Sequence, residues 1–454
     1  MKRLLLAILM FYALTSAQEK KDFVKVVGDS LVGKLVQNEN VREVIGNVVI
    51  TQGNVRATCD KAIQYLKRNE IELFKNVVIT QDTITLFTER GFYFSDTKIA
   101  KSDTNILLND GHILLSASSG VYNTNIERAD FRGNVKLIDS ASTLTSNHLI
   151  YFNNEDKAVA VGNVSIADSS SVMFSDSLIH YRNEKKTFGY KDVVIKSDDK
   201  NVTLTGQYFE DYKTENYTKI SGNPILMQID TNDTKLDTLL ISSKIMEAIS
   251  FPTEIFIATD SVEVWRNDFF SVNKRSIFYR DEDKISIFKD DETKQRPILW
   301  YENSQMVGDT VVIFLDSTTI KKIEVIEDAF VLSQNEFSEF RYDQVSGDTI
   351  YLHFNDSTLA RTEVYGKVLS IYYMYEDGES SGLIQSSAEK TILYFENNEI
   401  VNVKMYGSPV SEFHPEKLIK GKELDFTLPS FIIYKNKPIK EELLKKLVQR
   451  QNLE

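Results

Sequence analysis

A single cysteine, Cys59, stands in 454 residues, so no disulfide can form within the chain and its stability must come from burial. Glycine and proline are scarce, 19 and 7, so the composition lacks the marks of disorder. The five histidines, His112, His148, His180, His353 and His414, are scattered, with no HExxH or other ligand spacing. There is no P-loop, G-x-S-x-G or G-x-G-x-x-G context. Acidic pairs such as Asp198-Asp199 and Asp290-Asp291 fall in polar stretches that read as turns, where solvated acid is the default. The sequence therefore predicts no metal, no cofactor and no catalytic constellation.

Long apolar runs are missing too, apart from one at the start. Lys2 and Arg3 precede an apolar stretch from Leu4 to Leu14 and a small-residue end at Thr15-Ser16-Ala17. This pattern predicts a secretory signal peptide over residues 1–17. The run is about half of the roughly 20 residues that a spanning helix needs. Losing Lys2 and Arg3 takes the 53 basic residues to 51 against 66 acidic ones, a net of -15. Such a surface argues against nucleic acid as a partner.

What is plentiful is aromatic: 21 Tyr and 26 Phe, a β-favouring composition. The strongest signal is a tripeptide that returns every 29 residues. It reads Gly46-Asn47-Val48, Lys75-Asn76-Val77, Thr104-Asn105-Ile106, Gly133-Asn134-Val135, Gly162-Asn163-Val164 and Lys191-Asp192-Val193. A fixed period in this range marks one supersecondary unit copied along an axis. After each mark apolar residues alternate: Val48 and Ile50, Val77 and Ile79, Ile106 and Leu108, Val135 and Leu137, Val164 and Ile166, Val193 and Ile195. Period two puts each pair on one strand face. The Gly-Asn, Lys-Asn or Lys-Asp ahead of it is turn chemistry, because Gly and Asn tolerate positive φ.

A second element ends on tyrosine: Asp60-Lys61-Ala62-Ile63-Gln64-Tyr65 parallels Asp176-Ser177-Leu178-Ile179-His180-Tyr181, and Asn147-His148-Leu149-Ile150-Tyr151 is one residue shorter. The turns that follow are too short for crossover helices, so antiparallel hairpin stacking is expected. Beyond Lys191 the period loosens, with Gly222-Asn223-Pro224 at a step of 31 and Asp260-Ser261 ahead of Val262 and Val264. Gly308-Asp309-Thr310-Val311 recurs as Gly347-Asp348-Thr349-Ile350, a step of 39, and Asp328-Ala329, Gly366-Lys367 and Gly407-Ser408 mark further turns. The expected organisation is residues 18–250 with period 29, residues 251–425 with period about 39, and a cap or tail over 426–454. In that tail Leu443, Leu444 and Leu447 have helical spacing and predict a short helix. A cap over the last exposed edge is the first reading of it, and a partner-docking tail the second.

The export signal, marks such as Ala160-Val161-Gly162-Asn163-Val164 and the intervening tyrosine-ended elements resemble the OstA-like (organic solvent tolerance) family, which includes the periplasmic bridge proteins of lipopolysaccharide transport. The resemblance covers about residues 32–409. It implies an all-β, extended open β-jelly roll: stacked antiparallel strands in a V-shaped, solenoid-like rod whose apolar groove holds acyl chains. The chain is longer than one bridge module and too short to add an outer-membrane barrel. Strands about 4.8 Å apart, shared between two walls, would give a rod on the order of 100 Å.

Val48, Ile50, Val77, Ile79, Val135, Leu137, Val164, Ile166, Val193 and Ile195 are the groove candidates; a closed core is the plainer reading of all ten. The resemblance implies lipopolysaccharide as cargo, and a periplasmic place with possible outer-membrane association. Its partners would be other transport proteins joined by strand-edge pairing, or further copies stacked end to end. Two rival readings remain: a parallel β-helix enzyme acting on polysaccharide, and a structural or adhesin rod.

Overall fold

The computed structural model describes residues 23–197, 201–232, 235–266, 269–316, 319–355, 358–376, 378–396 and 399–451; the expected signal peptide lies outside them. The chain forms two compact units, divided between Phe131 and Arg132.

In the first unit the strands Glu39–Gln52, Val55–Tyr65, Glu70–Gln81 and Ile84–Phe94 pair antiparallel in sequence order. Each is 11 to 14 residues long. The marks lie inside these strands and do not connect them, which corrects the reading of them as hairpin turns. Gly46 and Asn47 have φ of +79° and +44°, Lys75 and Asn76 of +61° and +49°. Two successive left-handed residues are the signature of a tight hairpin turn, which is why sequence alone misplaces them. Here Ile45 pairs with Lys61 and Val48 with Cys59, so two residues oppose one across a β-bulge. The strand turns a corner there, and its two halves enter different walls. Ile84–Phe94 makes this plain: Thr85 to Thr88 pair with Ile106–Asn109, Phe92 to Phe94 with Ile99–Ser102.

The second unit repeats the device. Gly162 and Asn163 (+78°, +48°) and Lys191 and Asp192 (+63°, +51°) kink the strands Lys157–Ala167 and Lys186–Ser197. Later left-handed pairs fall at Gly222-Asn223, Asp260-Ser261, Glu327-Asp328, Gly366-Lys367 and Gly407-Ser408. Val202–Tyr212 pairs with Tyr217–Ser221 on one side of its corner and with Ile225–Asn232 on the other. The Thr104-Asn105 mark differs: it carries no left-handed pair and falls in the gap between Ile99–Ser102 and Ile106–Asn109. All pairings given for the described residues are antiparallel, which removes the parallel β-helix.

The intervening strands carry their own ruler, unseen in the sequence. Cys59, Thr88, Ser146 and Ser175, separated by 29, 58 and 29 residues, sit at the inside of the bend. Each donates to the carbonyl two residues on, at 3.1, 3.3, 3.1 and 3.2 Å. The bend interrupts the ladder, and these short side chains satisfy the carbonyl so exposed. Cys59 is thus a corner residue, and burial pushes its thiol up to about 11. On the outside of the bends Asn76 bonds Asp60 at 3.0 Å, Gln207 bonds Asp192 at 3.1 Å, and Lys244 and Lys274 hold Asp260 at 2.6 and 2.7 Å. Half-buried tyrosines lie under cations: Arg68 lies 4.0 Å from the Tyr65 ring, Lys284 4.5 Å from Tyr279 and Lys322 4.3 Å from Tyr351.

After the last strand, Val410–Pro415, come a one-turn helix Glu416–Ile419, an extended run and the expected C-terminal helix, Lys440–Gln451. That helix rests on Lys186–Ser197, Ile225–Asn232 and Lys235–Ser242, more than 190 residues back along the chain. Leu443 and Leu447 are its buried residues.

Candidate functional site: the trough between the walls

Side chains alternate along a strand, so the first residue after each corner faces inward between the walls and the third does as well. Within each unit the inner faces are apolar. The ten sequence candidates all lie there, in two tiers. In the first unit Val48 and Val77 are 1% exposed and Ile50 4%, while Ile79 is half-buried against the same cluster. In the second unit Val135, Val164 and Val193 are 0–1% exposed, and Leu137, Ile166 and Ile195 half-buried. The valines fill the bottom of the bend. The outer tier faces the space where the walls part.

The opposite wall of the trough was missed by sequence reasoning, and it sets the shape. In the first unit a row of cross-strand partners runs Ala62, Leu73, Gly91, then Ser102 and Gly120. Three small residues follow in succession: at Gly120 the Ile106 and Phe131 side chains close in to 2.8 Å of where a Cβ would stand, whereas at Gly91 a Cβ would meet only ordinary contacts. A small cleft opens there, lined by Ile79, Leu86 and Ile106 from one wall and by Gly91, Gly120 and Tyr122 from the other. At its base the hydroxyls of Thr88 and Ser102 bond at 2.7 Å, and Thr104 lies 2.9 Å from Thr88, so the polar groups satisfy one another. Burial pushes the Tyr122 hydroxyl up to about 12 and raises that of Tyr93, whose OH donates to Gln52 Oε1 at 2.5 Å. The signal that could have found this cleft is the 29-residue series Ala62, Gly91, Gly120, Leu149, Leu178, whose small members come first.

In the second unit the same row reads Leu149, Ala160, Leu178, Gly189, Phe209, each small residue flanked by large ones. Leu149, Ala160 and Leu178 are fully buried. One step toward the rim the row becomes polar: His180, Thr187, Asp211. His180 Nδ1 lies 3.0 Å from Thr187 Oγ1, and Thr218 Oγ1 donates to Asp211 at 3.0 Å. Burial lowers the His180 pKa, with Lys213 adding to the effect, and burial raises that of Asp211. The equivalent rim row in the first unit is Gln64, Ile71, Tyr93, Ala100, Tyr122. The rim row thus carries Gln64 and two tyrosines among apolar residues in the first unit, and His180, Thr187 and Asp211 side by side in the second.

An apolar trough with satisfied polar groups at its base can hold alkyl chains by burial alone. No helix among the described residues is long and apolar enough to cross a membrane.

No curated protein matches the chain. Among solved structures, LptH of Pseudomonas aeruginosa, described as the LptA-homologous periplasmic component of the lipopolysaccharide transport device, matches at 12% identity. The match covers 32% of this chain and 95% of that one, with a TM-score of 0.18, too low to bear on the fold. Residues 27–160 match the family model described as OstA-like protein, a stretch that holds four of the six 29-residue marks and the whole cleft. The resemblance read from those marks is therefore matched by the OstA-like family model over residues 27–160.

Proposed function

We propose that the chain is a lipopolysaccharide-binding bridge of the periplasm, carrying the glycolipid from the inner to the outer membrane with its acyl chains in the trough. The observation that carries this reading is the graded wall: a closed row of valines at the bend beneath a half-buried row, facing a floor that opens into a cleft at Gly91, Ser102 and Gly120. Each methylene transferred from water into such a trough is stabilised by about 0.8 kcal/mol, so part of one acyl chain outweighs the few tenths of a kcal/mol expected from exposed charge pairs. Phosphorylated heads are repelled by the acidic surface and stay in solvent. Direction along nearly equivalent repeats must come from elsewhere, since no step here consumes energy.

Transport partners would join at strand edges by β-augmentation. Among the described residues Ser30–Val36 pairs only with Glu39–Gln52, and Glu399–Tyr406 only with Glu379–Glu396. Both are exposed, with Leu31, Leu35, Val401 and Val403 in view, so either could take a neighbouring protein or a second copy end to end. A rod used only for reach would need no cleft. Photo-crosslinking residues placed at Ile79, Leu137 and Ile166 in cells, with Lys67 and Glu155 as turn controls, test the proposal. Lipopolysaccharide adducts at the first three alone are expected; none at any position would sink it.

A further inference from the structure

Between residues 298 and 332 the post-mark wall of the second unit is buried on both faces, which the trough does not explain. Leu299, Met306 and Ala329 face inward, yet their neighbours Ile298, Trp300, Val307, Phe330 and Leu332 are 2–7% exposed. What covers them is the C-terminal tail. Ile419 and Leu428 pack with Phe330, Leu332, Ile371, Tyr373 and Leu383, and Tyr434 packs with Ile298, Trp300 and Val307.

The tail follows one row of residues. Cross-strand partners share a face, and a continuous series of them runs Leu240, Trp265, Phe270, Trp300, Gln305, Leu332, Gln344, Ile371, Gln385. Lys440 lies 4.4 Å from the Trp265 ring and Lys437 4.0 Å from Phe270. Gln305, 5% exposed, donates to the Ile432 carbonyl at 2.8 Å and accepts from the Tyr434 amide at 2.9 Å. Gln344, 3% exposed, does the same to the Phe426 carbonyl at 3.4 Å and the Leu428 amide at 2.8 Å. Each glutamine thus brackets one residue, Thr427 or Ile433, as a neighbouring strand would.

The two glutamines are 39 residues apart, the period of this region, and Gln385 follows at 41, the step between the marks at Gly366 and Gly407. Gln385 is exposed and lies in the same row. On the tail the bracketed residues are six apart. Six extended residues span about 20 Å, whereas two strand spacings are about 10 Å; the turn in which the Phe431 amide bonds the Leu428 carbonyl at 3.0 Å takes up the slack. Residues 416–451 belong to no strand, so the tail can leave without breaking a ladder bond.

We propose that this row is a peptide-binding track, read once per repeat by a glutamine between apolar neighbours, and that the tail is its tethered and exchangeable ligand. The ligand class is an extended segment with apolar residues on both sides of each bracketed position. The test uses the full chain with its own tail weakened by Leu428→Asp and Tyr434→Asp, and a fluorescent peptide of residues 423–439 followed by anisotropy. Saturable binding is expected, weakened about tenfold or more by Gln305→Met with Gln344→Met, which remove the brackets. Absence of saturable binding by a chain with unchanged far-ultraviolet circular dichroism would overturn the proposal, as would binding indifferent to the glutamines. Should the weakened chain misfold, hydrogen exchange on the unaltered protein decides. The amides of Leu428 and Tyr434 should exchange well before those of Ser304–Val307 and Tyr342–Asn355, and simultaneous exchange would refute the track.

Discussion

The two units use one corner and build different troughs with it. In the first, Gly91, Ser102 and Gly120 follow one another across the strands and the walls enclose a small, mainly apolar cleft. In the second, Leu149 and Leu178 alternate with Ala160 and Gly189, the floor is filled, and the rim carries His180, Thr187 and Asp211. The difference shows that the repeat fixes where a trough runs, while one position per repeat decides whether it is open. It also separates inside from outside: the second unit's post-mark wall is covered on its outer face by the tail.

The most damaging way to break the comparison is to give the second unit the first unit's floor. Leu178→Gly would leave a small side chain between Ala160 and Gly189, three in succession; it should cost about 4 kcal/mol in chemical denaturation while raising crosslinking to lipid at Ile166. Loss of stability with no gain in crosslinking would show that floor size does not control access.

Next comes the clamp on the tail. Arg341, 8% exposed at its side chain, holds Glu416 at 2.7 Å and Glu423 at 3.2 Å and donates to Ser380 at 2.6 Å. Arg341→Ala strands two half-buried carboxylates and should cost about 3 kcal/mol, read as faster exchange of the tail amides; the first unit's amides should not change.

A pH effect confined to the second unit sharpens the contrast further. Asp343 accepts the Tyr373 amide at 2.8 Å, and burial pushes its carboxyl up to about 7. The folded state holds that proton where the unfolded chain has lost it, so stability falls as pH rises from about 4 to about 7. Asp343→Asn should flatten that decline, worth roughly 1–3 kcal/mol at pH 7, in denaturation curves taken at pH 5 and pH 7.5.

The smallest effects belong to the shared corner. Lys75 and Lys191 adopt φ of +61° and +63° where Gly46, Gly133 and Gly162 stand in three of the other early marks. Lys75→Gly and Lys191→Gly should each stabilise by about 1 kcal/mol, and Gly162→Ala should destabilise by about 1 kcal/mol. In Gly162→Ala the new methyl would also meet the Asn147 side chain at 3.0 Å. Equal effects in both units would confirm that the corner is common to them.

Much of this architecture is legible in the sequence. Val48, Val77, Val135, Val164 and Val193 read as inward strand residues because period two is a direct consequence of strand geometry, and all five are buried. The marks themselves are misplaced by sequence, since consecutive left-handed residues have the same local chemistry in a hairpin turn and in a bulge; only the pairing of Ile45 with Lys61 and Val48 with Cys59 tells them apart. The cleft escapes because smallness at Gly91 or Gly120 has meaning only beside Ser102, a neighbour across strands and not along the chain. Gln305 and Gln344 escape for a related reason: a glutamine in a strand reads as solvent-facing until the segment that covers it, over 80 residues later, is known.

The central claim is that lipid occupies the open trough of the first unit, and one measurement meets it head on: in-cell photo-crosslinking from Ile79, with and without Gly91→Leu. A Cβ at Gly91 meets Val77, Leu73 and Thr88 at 3.6 to 3.8 Å, ordinary contact, and the rest of a leucine side chain would compete for the cleft space that the position lines. The account predicts a lipopolysaccharide adduct at Ile79 that disappears in Gly91→Leu while the protein keeps its β-sheet signal. An adduct of equal yield in both chains would contradict it.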